Sequence, residues 1–400
     1  MKSEKLQDAI GEVDDLFLQD ANKYILTRRQ IWGRWAAVVA CCCLIAGGTY
    51  VLIHFHVTNS AGAGSLPRIE IPAYHVDGMG FEGLLCYSEA ELENGNPWQA
   101  DWALDTLPVY QNGCFDPSGM GMPYGLDEVE MTELLTNAAD VLDLEILATQ
   151  SDTNTAKTTD GTILPGNAVY QIRANTDNGN LTVRADGTLL YMLPDNTTLP
   201  EAYHFTYRNT SADEANAVME YLLECYAAFL RFPHPVTVLQ GDYTFDGAYI
   251  RRYLAYNAGA DHTENLLNYC FQYVRFSPND DGNLASVALY GGLIKAEKIG
   301  DYPLISVAEA QEKLLAGQYQ TSVPDVVPQA EDIARIEVVY RTGSQEELLL
   351  PYYRFYVELH DTDRWYMIQD DQLKCYGAYY VPAIQEQYIA NRSTYAGQFN

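Results

Sequence analysis

A glycine-rich segment is the first place in this sequence where residue type and spacing suggest chemistry. Gly78-Met79-Gly80-Phe81-Glu82-Gly83 matches the spacing G-x-G-x-x-G. A dinucleotide-binding loop with this spacing joins a parallel strand to a helix, and no helix signal follows Gly83 directly. The segment therefore predicts a turn, and we expect no cofactor.

Metal ligands and nucleophiles give no stronger signal. The seven histidines include no H-E-x-x-H pair, and Asn279-Asp280-Asp281-Gly282-Asn283 resembles a calcium loop but lacks the acid at its twelfth position. The sequence has no G-x-S-x-G, no Walker A loop and no S-x-x-K motif with its partners. We expect no metal site, no catalytic residue and no enzymatic activity.

Acidic, thiol and aromatic side chains are each open to more than one interpretation. The acids number 54, so some pair will always resemble a glycosidase dyad by proximity in sequence. Five cysteines follow the apolar run, at 86, 114, 225, 270 and 375, so at most two disulfides can form. We expect Cys225, which lies on an apolar helical stripe, to be a buried thiol. The 31 tyrosines either line a sugar-binding groove or fill strand cores, and the alternation Tyr353-Phe355-Val357 favours the core.

The overall charge excludes one class of ligand. Lys and Arg number 24 against 54 Asp and Glu, which gives a formal net charge of -30. Such a charge repels phosphate backbones, so we expect no nucleic-acid partner. With 48% hydrophobic residues the chain can nevertheless bury more than one core.

An apolar run near the N-terminus predicts where the protein resides. Trp35 to Ile53 holds no Asp, Glu, Lys, Arg or His and, as a helix, would span roughly 28 Å of the lipid bilayer. Four basic residues, at 23, 28, 29 and 34, precede it, whereas the following flank is uncharged until Arg68. The positive-inside rule then predicts a single-pass protein of the cell membrane, with its N-terminus in the cytoplasm and the bulk of the chain outside.

Two processing alternatives compete with an uncleaved anchor. Ala61-Gly62-Ala63 offers a signal-peptidase site, but the leader before the apolar run exceeds thirty residues. Val38-Val39-Ala40-Cys41 resembles a lipobox, but the apolar run continues well past Cys41. The uncleaved anchor is the favoured interpretation.

The leader, residues 1–34, has helical periodicity. Leu6, Ile10, Val13 and Phe17 recur at helical spacing, so they predict an amphipathic helix that needs a partner for its apolar stripe. We expect these four residues to bind a cytoplasmic sigma factor or sensor kinase. The alternative is a helix lying on the inner leaflet, which the six acids of the leader disfavour.

Capping and turn signals predict the organisation outside the membrane. Three helices should begin at capping residues followed three positions later by an acid: Asp127…Glu130, Ser211…Glu214 and Ser306…Glu309. Alternating strands follow each helix, with Asn178-Gly179, Asp186-Gly187 and Asp281-Gly282 as hairpin turns. The predicted strands are 168–174, 180–184, 188–192, 269–276, 284–290, 335–341, 352–359, 364–368 and 376–381.

These elements predict an α+β fold in which one N-terminal transmembrane helix precedes extracytoplasmic antiparallel sheet modules. Each module is led by a helix, in a three-fold repeat. The predicted divisions are a leader (1–34), a transmembrane helix (35–54), an irregular lead-in (55–125) and three modules (126–208, 209–300 and 301–400).

Several segments resemble known groups of proteins. Met79-Gly80-Phe81-Glu82-Gly83, Asn96-Pro97-Trp98 and Thr106-Leu107-Pro108-Val109-Tyr110 resemble single-pass membrane-anchored proteins of gut Firmicutes, a Gram-positive group, whose function is not established. The leader segment from Asp8 to Asp15 resembles leaders of anti-sigma-factor-like proteins. The layout of Ile305 to Gly317, Leu350 to Phe355 and Tyr379 to Ala383 is similar to YycH/YycI-type anchored regulators of a sensor kinase.

Three functions remain open from the sequence. The first is a membrane-anchored sensor or regulator that couples an outside domain to a cytoplasmic partner through the leader. The second is an envelope-binding module for a glycan or peptide, and the third is an extracytoplasmic enzyme. The sequence favours the first.

Overall fold

A computed structural model describes residues 66–71, 82–117, 122–153, 169–244, 246–323, 326–360, 372–391 and 397–398. The chain from Leu66 to Asn400 forms one compact unit. The predicted leader with Leu6, Ile10, Val13 and Phe17, the predicted span Trp35 to Ile53 and the predicted strand 364–368 lie outside the described residues. Within the part that is described, no helix is both long enough and apolar enough to cross a bilayer.

Five α-helices occur in the described ranges. They are α1 (Glu128–Val141), α2 (Ala212–Cys225), α3 (Ala227–Leu230), α4 (His262–Phe271) and α5 (Val307–Leu315). The predicted starts of α1, α2 and α5 are confirmed, because the side chains of Asp127, Ser211 and Ser306 each accept a hydrogen bond from the backbone of the acid three positions on. In each case that acid bonds back to the cap residue, which satisfies two backbone donors at the helix end.

Helix α4 was not predicted, although its start carries the same signal. Asp261 caps it by accepting a 2.9 Å hydrogen bond from the backbone N–H of Glu264. The prediction instead ran a strand through 269–276, but the helix continues to Phe271 and the strand begins at Tyr273. Aromatic residues at 269, 271 and 273 fit a strand by propensity, and packing of the helix against the sheets outweighs that preference.

Seventeen strands occur in the described ranges. In chain order they are β1 (Gly83–Cys86), β2 (Thr106–Gln111), β3 (Ile146–Thr153), β4 (Val169–Thr176), β5 (Gly179–Arg184), β6 (Leu189–Met192), β7 (Pro235–Tyr243), β8 (Tyr249–Asn257), β9 (Tyr273–Pro278), β10 (Leu284–Leu289), β11 (Glu297–Pro303), β12 (Gln320–Thr321), β13 (Ile333–Tyr340), β14 (Leu348–Leu349), β15 (Pro351–Leu359), β16 (Lys374–Pro382) and β17 (Gly397–Gln398).

The largest sheet has eight antiparallel strands in the order β3-β4-β5-β6-β10-β9-β8-β7. The three predicted hairpin turns are confirmed within it, linking β4 to β5, β5 to β6 and β9 to β10. Gly179, Gly187 and Gly282 have φ angles of 99°, 80° and 79° there. Glycine adopts such positive φ angles without the steric cost that a side chain would add.

A second sheet has the order β13-β15-β16-β12-β17, with β1 also paired to β16. A third joins β11, β2 and β14. Both sheets therefore combine strands from the predicted lead-in, at residues 83–86 and 106–111, with strands from the C-terminal third of the chain.

The predicted fold class is wrong. The described chain is mostly β-sheet with few helices, and the sheets do not form helix-led modules. Strand β6, from the first predicted module, pairs with β10, from the second, with Tyr191 opposite Val287. A short meander leaves unpaired hydrogen-bonding groups along its outer strand, and joining the two meanders satisfies them in one sheet.

Helices α1 and α2 cover one face of the eight-stranded sheet. Met131 and Leu135 of α1, with Val218 and Leu222 of α2, are buried in one core with Phe276 of β9. Cys225 lies at the end of α2 and is exposed, so the predicted buried thiol at this position is wrong. The five cysteines of the described residues form no disulfide.

The second sheet is buried on both faces. Tyr352 and Tyr380 pack into one core, whereas Tyr353 and Phe355 pack into another. Neighbouring residues of a strand point to opposite faces, so each strand supplies both cores. The predicted core role of the alternation at Tyr353, Phe355 and Val357 is confirmed, since all three are buried.

Candidate functional site

A cleft of about 440 Å³ opens where strand β13 ends. Its wall is the connection 341–346 between β13 and β14, and its other sides include Glu82, Arg354 and Tyr380. The cleft therefore lies where the connection passes the charged end of the second sheet.

Strand pairing places Arg354 and Tyr380, which line the cleft, in one row with Glu337, which does not line it. Glu337 of β13 lies opposite Arg354 of β15, and Arg354 lies opposite Tyr380 of β16. The Arg341 guanidinium lies over the Tyr380 ring, 4.8 Å from its centroid. A planar cation over an aromatic face is attracted by the electron density of the ring, so Tyr380 helps to fix Arg341.

Arg341 joins two carboxyl groups. Its Nε donates to Glu346 Oε1 at 3.0 Å, and its two Nη atoms lie 3.4 and 3.5 Å from the carboxylate oxygens of Glu82. Arg341 is only 8% exposed, whereas the Glu82 side chain is 31% exposed. Arg341 thus connects the mouth of the cleft, at Glu82, to its buried end, at Glu346.

Glu346 has a buried carboxyl oxygen without a hydrogen-bond partner in the part of the chain that the structure describes. The residue is 4% exposed, and its Oε2 atom is buried without a hydrogen-bond partner in the described structure. Removal of the carboxyl group from water disfavours its charged form, and this burial raises the pKa of Glu346 to about 8. A buried acceptor without a hydrogen-bond partner lowers the stability of a fold by roughly 1 to 3 kcal/mol.

Asn112 holds the connection in place. Its side-chain amide donates to the carbonyl oxygens of Gly343 at 3.0 Å and Glu346 at 2.7 Å, and its backbone N–H donates to Glu347 O at 3.0 Å. Asn112 directly follows β2, so the third sheet fixes the loop that carries Glu346.

A second ion cluster, centred on Glu337, adjoins the cleft through Arg354. The Glu337 carboxylate is 0% exposed and accepts hydrogen bonds from both the Nε and Nη2 atoms of Arg354. Asn94 Nδ2 lies 3.1 Å from each carboxylate oxygen, and Arg335 Nε lies 3.4 Å from Oε2. Glu337 is thus surrounded by donors, in contrast to Glu346.

The sequence singled out none of the cleft groups as a site. Arg341, Glu346 and Arg354 fall in no motif, and Glu82 was noted only within the glycine-rich segment, whose residues 78–81 lie outside the described ranges. One signal was present: Glu337 and Arg354 each stand between two apolar or aromatic residues in their strands, and charges are rarely fully buried unless they are paired.

Chemically, the cleft can bind hydrogen-bonding ligands. The described residues contain no group of three or more His, Cys, Asp or Glu side chains arranged to hold a metal ion. The cleft lining contains no histidine or cysteine among the described residues. Its distinctive feature is one buried carboxyl oxygen that faces no protein donor.

Comparison with known proteins gives no family for this chain. No protein-family model matches the sequence, and no curated protein matches it.

Proposed function

We propose that the chain is a membrane-anchored extracytoplasmic sensor whose described part binds a small polar ligand in the cleft at Glu346. The observation that carries this proposal is the buried Oε2 atom of Glu346, which has no hydrogen-bond partner among the described residues and belongs to a residue that lines a 440 Å³ cleft. A ligand that donates a hydrogen bond to this atom would remove the cost of leaving it unsatisfied.

The anchoring part of the proposal rests on the sequence. The basic flank before Trp35 and the uncharged flank after Ile53 support residues 1–34 inside and the remainder outside. The stripe of Leu6, Ile10, Val13 and Phe17 supports a cytoplasmic partner such as a sigma factor or a sensor kinase. An envelope-binding module would use the same cleft for a glycan or peptide without any inside partner.

A second candidate function is hydrolysis by two carboxyl groups. Glu82 and Glu346 lie on either side of Arg341, one of them partly exposed and the other buried with a raised pKa. Paired carboxyl groups in unlike environments are used as acid and base in glycoside hydrolysis. Arg341 contacts both carboxyl groups. An acid catalyst must be free to release its proton, so these contacts favour ligand binding over catalysis.

Cleft occlusion tests the binding function. The full-length chain in detergent is titrated with a panel of amino acids, short peptides, amines, diols, dicarboxylates and neutral, amino and acidic sugars. Thr342 is exposed and lines the cleft, so Thr342→Trp should abolish binding of any panel member that binds the wild type. Val129→Trp, at a 66% exposed position on α1, should leave it unchanged.

Two results would overturn the proposal. One is that no panel member binds at millimolar concentration; the other is that Thr342→Trp binds as the wild type does. Release of sugar from an added oligosaccharide, lost in Glu346→Gln, would instead favour the hydrolase. For the anchor, intact cells are labelled with an impermeant thiol reagent in a Cys225→Ser background, since Cys225 is exposed. The reagent should label the Ser65→Cys variant and not the Ser3→Cys variant.

A further inference from the structure

The charge balance of the cleft identifies the type of group that it lacks. Its two guanidinium groups already have carboxyl partners, Arg341 with Glu82 and Glu346, and Arg354 with Glu337. When the Glu346 carboxyl group is ionised, its Oε2 atom is an acceptor without a donor among the described residues. A ligand therefore gains most by presenting a hydrogen-bond donor, and a positively charged donor gains more than a neutral one.

We propose that the ligand carries a protonated primary amine, which donates to Glu346 Oε2 at the buried end of the cleft. This inference rests on the proposed binding function and specifies its ligand class.

The geometry of the carboxyl group supports this assignment. A carboxylate has about four acceptor positions, and Arg341 uses Oε1, so Oε2 can accept from an ammonium group at the same time. Glu82 lies against the Nη atoms of Arg341 and offsets the repulsion between its guanidinium and an incoming cation. Titratable and charged groups lining the cleft are Glu82, Tyr340, Arg341, Glu346, Arg354 and Tyr380.

The electrostatic field of the whole protein also favours a positively charged ligand. A formal charge of -30 attracts cations and repels anions over distances of about a Debye length, roughly 8 to 10 Å. An anionic ligand would also face Glu82 at the mouth of the cleft.

Binding of an amine should release a proton. Burial holds the free Glu346 carboxyl mostly protonated at pH 7, because its pKa is about 8. An ammonium group beside it favours the ionised form and lowers that pKa. The amine itself stays charged at this pH, since its ordinary pKa is near 10.4. We expect close to one proton to be released for each ligand bound.

Three probes of matched length test the inference on the full-length chain in detergent: 1,5-diaminopentane, pentane-1,5-diol and glutarate. Calorimetry at pH 7, in two buffers of different ionisation enthalpy and without primary amines, measures both affinity and protons released. We expect the diamine to bind about tenfold or more tightly than the diol, with proton release. Glu346→Gln should weaken diamine binding by a similar factor and abolish the proton release, whereas Glu331→Gln, at an exposed position, should change neither.

The outcomes separate this inference from the proposed function. Binding of the diol or glutarate as tightly as the diamine, with Thr342→Trp still blocking it, would overturn the amine assignment and leave the binding function intact. Diamine binding that persists in Thr342→Trp, or that releases no proton, would also overturn the assignment. Absence of binding by all three probes, with no binding by the wider panel, would overturn both.

Discussion

The two oxygens of the Glu346 carboxyl group have opposite environments. Oε1 accepts a 3.0 Å hydrogen bond from Arg341 Nε, whereas Oε2 is buried with no partner among the described residues. The Arg341 interaction favours the ionised carboxyl, and burial favours the neutral one and raises its pKa to about 8. The protonation of Glu346 should therefore contribute to the pH dependence of stability.

The free energy of unfolding should fall as the pH rises from about 4.5 to about 8, relative to that of Glu346→Gln. Glu346 has a higher pKa in the folded chain than the ordinary 4.5, so the native state binds more protons than the unfolded state in this window. Stability present below pH 4.5 is therefore lost as the pH approaches 8, by up to about 1.4 kcal/mol per pH unit. Urea unfolding of both variants at several pH values measures the difference, and parallel curves would contradict it.

Glu337→Ala should destabilise the fold by about 3 to 5 kcal/mol, because it leaves the part-buried Arg354 without its carboxylate. Chemical denaturation gives the value. Glu331→Ala, at an exposed position shortly before β13, should cost less than about 0.5 kcal/mol. A double variant with Arg354→Met should recover part of the loss; a double variant as unstable as the sum of both single changes would show that the pair does not interact.

Gly187→Ala should be more destabilising than Gly317→Ala by about 1 to 3 kcal/mol. Both glycines have positive φ, 80° and 78°, so both variants incur the backbone cost of roughly 1 to 2 kcal/mol. A Cβ at Gly187 would lie 2.6 Å from Ile294 Cγ1, whereas one at Gly317 would meet nothing within 4 Å. Thermal unfolding of the two variants measures the difference in stability, which is the steric cost of the contact with Ile294. Equal losses of stability in both variants would place Ile294 away from this hairpin.

Cys225 should react with a thiol reagent at least about tenfold faster than Cys86, Cys114 or Cys270 in the native chain. Cys225 is exposed, and burial raises the pKa of each of the other three thiols to about 12, which lowers the thiolate that reacts. Time-resolved labelling with peptide mass spectrometry assigns each rate. Denaturation should equalise the rates, and fast labelling of Cys114 in the folded chain would contradict its burial.

Local features of the chain could be predicted because their causes are local. A capping residue and an acid three positions later satisfy helix-end donors within one turn, so Asp127, Ser211 and Ser306 marked three helix starts. Asn178-Gly179 and Asp186-Gly187 marked hairpins because only a few residues accept positive φ. The same rule applied to Asp261 would have found α4.

The capped helices, the hairpins and the acidic charge follow from local sequence, whereas the sheets and the cleft form only when distant segments pack together. The pairing of β6 with β10 joins residues about a hundred positions apart, and periodicity within each strand is the same whichever partner it takes. Glu82 and Arg341 likewise come into contact through strand pairing. Strands β1 and β15 both pair with β16, which brings the two distant segments together. The environment of Glu346 depends on burial by distant segments, and burial is a property of the packed chain that no local pattern of residues specifies.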